Sequence, residues 1–248
     1  MLRAFAGGTI FGELLGPEPP RVLALHGWRR TRDDFRTSLG GLPVLALDLP
    51  GFGASPPPPD PWSTARYAEA MADVLPELER PSVVVGHSFG GRVAVRLAAA
   101  RGGDVAALVL TGVPLLPAPT AGRRPRPPWQ FRLGRALHRR RLLSQARMEH
   151  LRQRYGSEDY RLATGVMRGV LVQAVNETYE DALAALRCPV ELVWGERDTA
   201  APPAVAETAA ALVADSRLTV VPGTGHLVPT GAPEALRAAV ERAMAVTR

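Results

Sequence analysis

Short apolar runs alternate with amphipathic, Ala-rich stretches along this chain, the pattern of β-strands joined by crossover helices in a mostly parallel sheet. The apolar runs predict strands over Val22–His26, Val44–Asp48, Ser82–Gly86, Val105–Leu110, Val190–Trp194 and Leu218–Val221, with a less apolar one near Thr9–Leu14. Helices are predicted over Thr31–Leu39, Thr64–Leu78, Phe89–Ala100, Pro203–Ala214 and Pro233–Val246, with Ser63 placed to cap the second and Pro203 and Pro233 in first turns. The alternation breaks once, between Leu110 and Val190. There the chain passes through a Pro-rich stretch from Pro114 to Pro128 and then runs Arg-rich and helical from Trp129 to Leu186. A crossover needs loops of roughly 2–6 residues and a helix, so residues 114–187 read as an insertion into a core formed by 1–113 and 188–248. The proline run Pro56–Pro61 reads as a stiff extended loop inside the fold, between a strand and a helix.

With 248 residues, 46% of them hydrophobic and 22% charged, the chain suits one folded domain carrying that insertion. No run approaches the ~18 apolar residues of a membrane span, and the N-terminal stretch lacks a continuous apolar segment. A cytoplasmic protein is expected. The single Cys188 excludes an intrachain disulfide framework.

Charge sharpens the picture of the insertion. The formal net charge is +6, every basic residue is Arg, and residues 114–187 hold 14 Arg against 6 acids, which leaves 16 Arg against 18 acids elsewhere. Its plain reading is a solvated face whose Arg stems cover apolar surface. Its sharper reading is recognition of an anion, because the planar guanidinium makes bidentate bonds to carboxylate or phosphate. Nucleic acid is not expected as a partner, since no binding module accompanies the charge.

The chemistry concentrates where strands end. Ser82-Val-Val-Val-Gly86-His87-Ser88-Phe89-Gly90 runs an apolar strand through G-x-S-x-G into a helix, a sharp turn that exposes Ser88 and points free helix N–H groups at developing negative charge. His26-Gly27-Trp28, Asp48-Leu49-Pro50-Gly51-Phe52-Gly53, Gly195-Glu196-Arg197-Asp198 and Gly223-Thr224-Gly225-His226 each follow another strand. In an open parallel sheet that edge is the ligand-binding one.

These five motifs resemble the α/β-hydrolase superfamily over nearly the whole chain, with the insertion resembling its helical lid. The resemblance implies an α/β-hydrolase fold with helices on both faces of the sheet. It implies Ser88 as nucleophile, His226 as general base, Asp198 as the acid that orients the imidazole, and the backbone N–H groups of Trp28 and Phe89 as oxyanion hole. Asp198 is favoured over Glu196 because it holds the family position. His26, His87 and Asp48 read as structural members of their motifs, and Cys188 as a small buried apolar residue. Serine at the turn disfavours the dehalogenases and epoxide hydrolases, which carry aspartate there. No metal or cofactor is expected.

The expected activity is cleavage of a carboxylic ester or thioester. The substrate expected is a small molecule, and an anionic or carrier-linked one fits. Arg92, one turn after Ser88, and Arg168 are candidates to hold a substrate carboxylate, as in the similar menaquinone-pathway lyases, for which the alternative activity is a triad-dependent elimination. The cluster Arg139-Arg140-Arg141 is a candidate docking point for an acidic carrier, as in the similar pimeloyl-carrier methyl esterases. Gly165–Val172, the most apolar stretch of the insertion, is expected to face Ser88. A third possibility, a binding protein on an inactive core, sits poorly with a complete triad.

Overall fold

The computed structural model describes residues 1–116, 129–155 and 158–246. The Pro-rich stretch at 117–128 lies outside the described residues, and so do the side chains of Phe131, Arg139 and Tyr155. The strands are β1 (Leu2–Phe5), β2 (Ile10–Leu14), β3 (Val22–Leu25), β4 (Val44–Asp48), β5 (Ser82–His87), β6 (Val105–Thr111), β7 (Val190–Gly195) and β8 (Ser216–Val221). They form one eight-stranded sheet in the order β1-β2-β4-β3-β5-β6-β7-β8. β1, β2 and β4 pair antiparallel, and every pairing from β4 through β3 to β8 is parallel.

Because β3 lies between β4 and β5, the chain winds outward from it in both directions. Such a reversal opens a crevice at the strands' C-terminal ends. The central strands are buried on both faces, which explains their unbroken apolar runs. In β3, Leu23 and Leu25 join a core with residues of α2 (Thr64–Ala72), α3 (Phe89–Ala100) and α9 (Pro203–Leu212). Val22 and Ala24 face the opposite core, under α1 (Arg36–Leu39) and α11 (Pro233–Ala245), the latter preceded by the short α10 (Val228–Gly231).

Between β6 and β7 stand α4 (Trp129–Arg139), α5 (Gln145–Tyr155), α6 (Glu158–Leu162), α7 (Gly165–Ala174) and α8 (Glu180–Ala184). The first four pack in succession, each on the next, whereas α8 packs on α3 and α9. Thus α8 is the crossover helix that parallel strands β6 and β7 require, although it falls within residues 114–187.

The predicted helix over Thr64–Leu78 is shorter than expected. It starts under the Ser63 cap, whose Oγ accepts the Arg66 N–H at 3.2 Å, and ends at Ala72 before a 3-10 turn at Leu75–Glu77. Pro76 has no N–H to continue the ladder, which accounts for the break. The segment Thr31–Leu39 divides likewise into a 3-10 turn, Arg32–Phe35, and α1. β1 escaped prediction because it is a largely exposed edge strand without an apolar run. No helix among the described residues is long and apolar enough to cross a membrane.

Candidate active site

The turn from β5 into α3 holds Ser88 at φ 49° and ψ −112°. Two close approaches make this possible. A Cβ on Gly86 would stand 2.5 Å from Gly91 Cα, and one on Gly90 would strike the Leu25 and His26 carbonyls. Glycine at both positions lets α3 close onto β3 and β5. The Ser88 N–H then donates to Thr111 O at 2.9 Å and the Gly90 N–H to His26 O at 3.0 Å, locking the turn to both neighbouring strands.

Asp198 and His226 arrive from the loops after β7 and β8. Asp198 is buried, and its Oδ1 accepts the N–H groups of Ala200 and Ala201 at 2.9 and 2.8 Å. Its Oδ2 lies 2.8 Å from His226 Nδ1, and His226 Nε2 lies 3.1 Å from Ser88 Oγ. A carboxylate only accepts, so the neutral ring carries its proton on Nδ1 and offers Nε2 as acceptor to the Ser88 hydroxyl. Glu196 is turned elsewhere, accepting the Gly223 N–H at 2.9 Å.

The remaining histidines brace the loops. His26, fully buried, accepts the Leu49 N–H at Nε2 over 3.0 Å and donates from Nδ1 to Gly27 O at 2.7 Å. Burial lowers its pKa to about 4. His87 donates from Nδ1 to Thr111 O at 3.1 Å, and burial, followed by the charge of His226, lowers its pKa to about 3. Asp48 accepts the N–H groups of Arg32 and Ala54 and pairs with the Arg32 guanidinium, tying down the loop after β4. Cys188 is buried, which pushes its thiol pKa up.

A cleft of about 340 Å³ opens over Ser88 and His226. Trp28, Phe89 and Leu227 line it from the core, and Leu171, Ala174 and Val175 from the insertion. Trp28 is fixed by edge-on contacts with Phe52 and Phe89 at 5.0 and 5.3 Å between ring centres. The backbone N–H groups of Trp28 and Phe89 donate to no backbone or side-chain acceptor among the described residues. A larger concavity of about 600 Å³, walled by Pro56–Pro59 and Trp62, holds no serine–histidine pair.

The expected face of the insertion reaches the cleft only in part. Helix α7 sends Leu171 and Ala174 into it, but one turn earlier Met167 packs toward Gly51. Arg92 lines the cleft with its guanidinium committed: Nε and Nη2 donate to Pro114 O at 3.2 and 2.9 Å, and Nη1 donates to Ala174 O at 2.8 Å. Burial lowers its pKa. Arg168 is not among the cleft's walls; it donates to Ala163 O at 2.9 Å and pairs with Glu149 at 2.6 Å.

Sequence motifs did not reveal the junction behind the cleft. Glu177 accepts the Thr64 N–H at 3.0 Å, the Thr64 hydroxyl and the Tyr179 hydroxyl at 3.0 Å, while Gln173 donates to Pro61 O at 2.7 Å. Thr64 and Glu177, like Pro61 and Gln173, are more than a hundred residues apart in the chain, so no local spacing announces them.

A doubly wound sheet with a serine on a sharp strand-to-helix turn, hydrogen-bonded to a histidine and through it to an aspartate, defines a class. Residues 22–239 match the Alpha/beta hydrolase family, and the chain belongs to it. Lipase LipV of Mycobacterium tuberculosis is 45% identical over 104 residues, a match covering 38% of this chain and 38% of that protein. The pimeloyl-[acyl-carrier protein] methyl ester esterase of Aromatoleum aromaticum is 29% identical over 247 residues, covering 87% of this chain and 94% of its own. Among solved structures, a thermophilic esterase from Thermogutta terrifontis superposes with a TM-score of 0.71 at 25% identity, covering 99% of this chain and 98% of that one.

Proposed function

We propose that this protein is a serine hydrolase of carboxylic esters or thioesters, working through an acyl-enzyme on Ser88. The observation that carries this reading is the hydrogen-bond chain from Ser88 Oγ to His226, 3.1 Å, and from His226 to Asp198, 2.8 Å, at the head of α3. Ser88 Oγ attacks the substrate carbonyl carbon as its proton passes to His226 Nε2. The resulting oxyanion accepts from the Trp28 and Phe89 amides, each donor contributing about 3 kcal/mol in the transition state. Asp198 holds the imidazole in the needed tautomer. Collapse expels the alcohol or thiol, which takes the proton from Nε2. Water then repeats the sequence on the acyl-enzyme and releases the acid.

Residues 114–187 act as the lid, and Leu171, Ala174 and Val175 form an apolar wall for the acyl group. In this reading Arg92 anchors the lid base to the nucleophile helix and holds no substrate carboxylate, since three of its donors are spent on backbone carbonyls. That weighs against elimination on a carboxylated substrate. A carrier-linked methyl ester, named for the Aromatoleum relative, requires the same carbonyl chemistry.

The test is a chromogenic short-chain ester. Wild type should show a burst of product and Ser88→Ala none, with fluorophosphonate labelling Ser88 in the folded protein. Intact turnover by Ser88→Ala would overturn the reading.

A further inference from the structure

Most arginines on the core have a carboxylate partner, although Arg101, Arg197 and Arg217 are exposed without one among the described residues, and on the insertion Arg168 pairs with Glu149. On the core, Arg30 pairs with Asp34, Arg66 with Glu69, Arg237 with Glu241 and Arg242 with Glu191. On the insertion, Arg132, Arg140, Arg141 and Arg147 are exposed and have no carboxylate partner among the described residues. Helix α4 and the turn after it also leave large apolar side chains in water, Trp129 at 68%, Leu133 at 49% and Leu142 at 71% exposure.

Most of these groups lie along α4 and the turn that follows it. Trp129 and Leu133 are one helical turn apart and share a stripe of α4, with Arg132 beside it. At the other end of α4, Arg141 takes φ 59°, its N–H donates to His138 O at 2.9 Å and the Leu142 N–H donates to Leu137 O at 2.9 Å. This closure stops the helix and leads the chain into α5. It fixes Arg140, Arg141 and Leu142 at the tip of the α4–α5 hairpin, and α4 packs principally on α5.

We propose that this hairpin face docks on an anionic lipid surface. Trp129, Leu133 and Leu142 enter the interfacial layer while the guanidiniums pair with lipid phosphates. Arginine's fork matches the phosphate oxygens, and tryptophan suits the boundary between headgroups and acyl chains. A fluid interface receives protruding side chains without a matching pocket, whereas an acidic protein would have to supply one for each. The assignment concerns surface binding and stands apart from the chemistry at Ser88.

Sedimentation with vesicles tests it. Wild type should bind mixed phosphatidylcholine–phosphatidylglycerol vesicles, fail to bind pure phosphatidylcholine, and be released by high salt. Each arginine removed from such a contact should lower partitioning about fivefold, so Arg132→Gln/Arg140→Gln/Arg141→Gln should lose on the order of a hundredfold. Trp129→Ser/Leu133→Ser should also bind less, and should it lose helical circular dichroism, Leu142→Ser in the hairpin turn carries the same expectation. All these variants should cleave a soluble ester as wild type does, so a failed vesicle result is distinguishable from a failed catalytic one. No binding of wild type to anionic vesicles, unchanged binding by the variants, or saturation by soluble polyglutamate without vesicle binding would overturn the proposal.

Discussion

At Ser88 the backbone occupies a region that costs a non-glycine residue on the order of 1–3 kcal/mol, and the surrounding strands hold it there. The spacing Gly86-x-Ser88-x-Gly90 makes that turn readable from sequence because its requirement is local: no Cβ two residues to either side. His26 and His87 show what is not local. Their motifs named them as structural, but their neutrality comes from the protein packed around them. Both have folded-state pKa values, about 4 and about 3, below the ordinary 6.5. Between those values and 6.5 the unfolded chain binds more protons, so stability should fall as pH drops through that window, by at most about 1.4 kcal/mol per pH unit for each histidine. Urea midpoints measured from neutral pH downward should show this slope, and His87→Gln should remove one histidine's share of it. A pH-independent midpoint would contradict the assignment of buried neutral rings.

Among the elements, the parallel strands were legible because burial on both faces demands apolar runs, and α3 because its first residue follows the serine turn directly. Helix α2 was overextended, since amphipathic spacing continues past the point where Pro76 withdraws its N–H. Helix α8 was placed with the insertion because it follows the Arg-rich stretch, yet its buried Ala182 and Leu183 belong to the main core. The junction between the segment after α7 and the start of α2 centres on Glu177. Glu177→Ala leaves the Thr64 N–H and the Tyr179 hydroxyl without that acceptor, and an unsatisfied buried polar group costs about 1–3 kcal/mol. Thermal and urea unfolding should report a loss in that range, with Glu177→Gln recovering part of it. Wild-type stability in Glu177→Ala would show the junction to be incidental.

For the whole molecule, residues of the insertion and of the core line one cleft together, Leu171, Ala174 and Val175 from the one and Trp28, Phe89 and Leu227 from the other. Arg92 reaches from α3 to carbonyls at both Pro114, just after β6, and Ala174, the last residue of α7. Arg92→Ala should therefore raise KM for neutral and anionic short-chain esters alike, through a displaced α7. Steady-state kinetics on a matched ester pair would separate this from a carboxylate-binding role, which would penalise the anionic ester alone. The sequence by itself determined the parallel sheet, the glycine-flanked serine turn and the chain order of serine, aspartate and histidine, because apolar runs, close approach at glycine and strand-end loops are local demands. Only the tertiary structure decided which arginines remain available to a partner. A guanidinium goes to whichever acceptors the fold brings near, and for Arg92 one of them is 82 residues away.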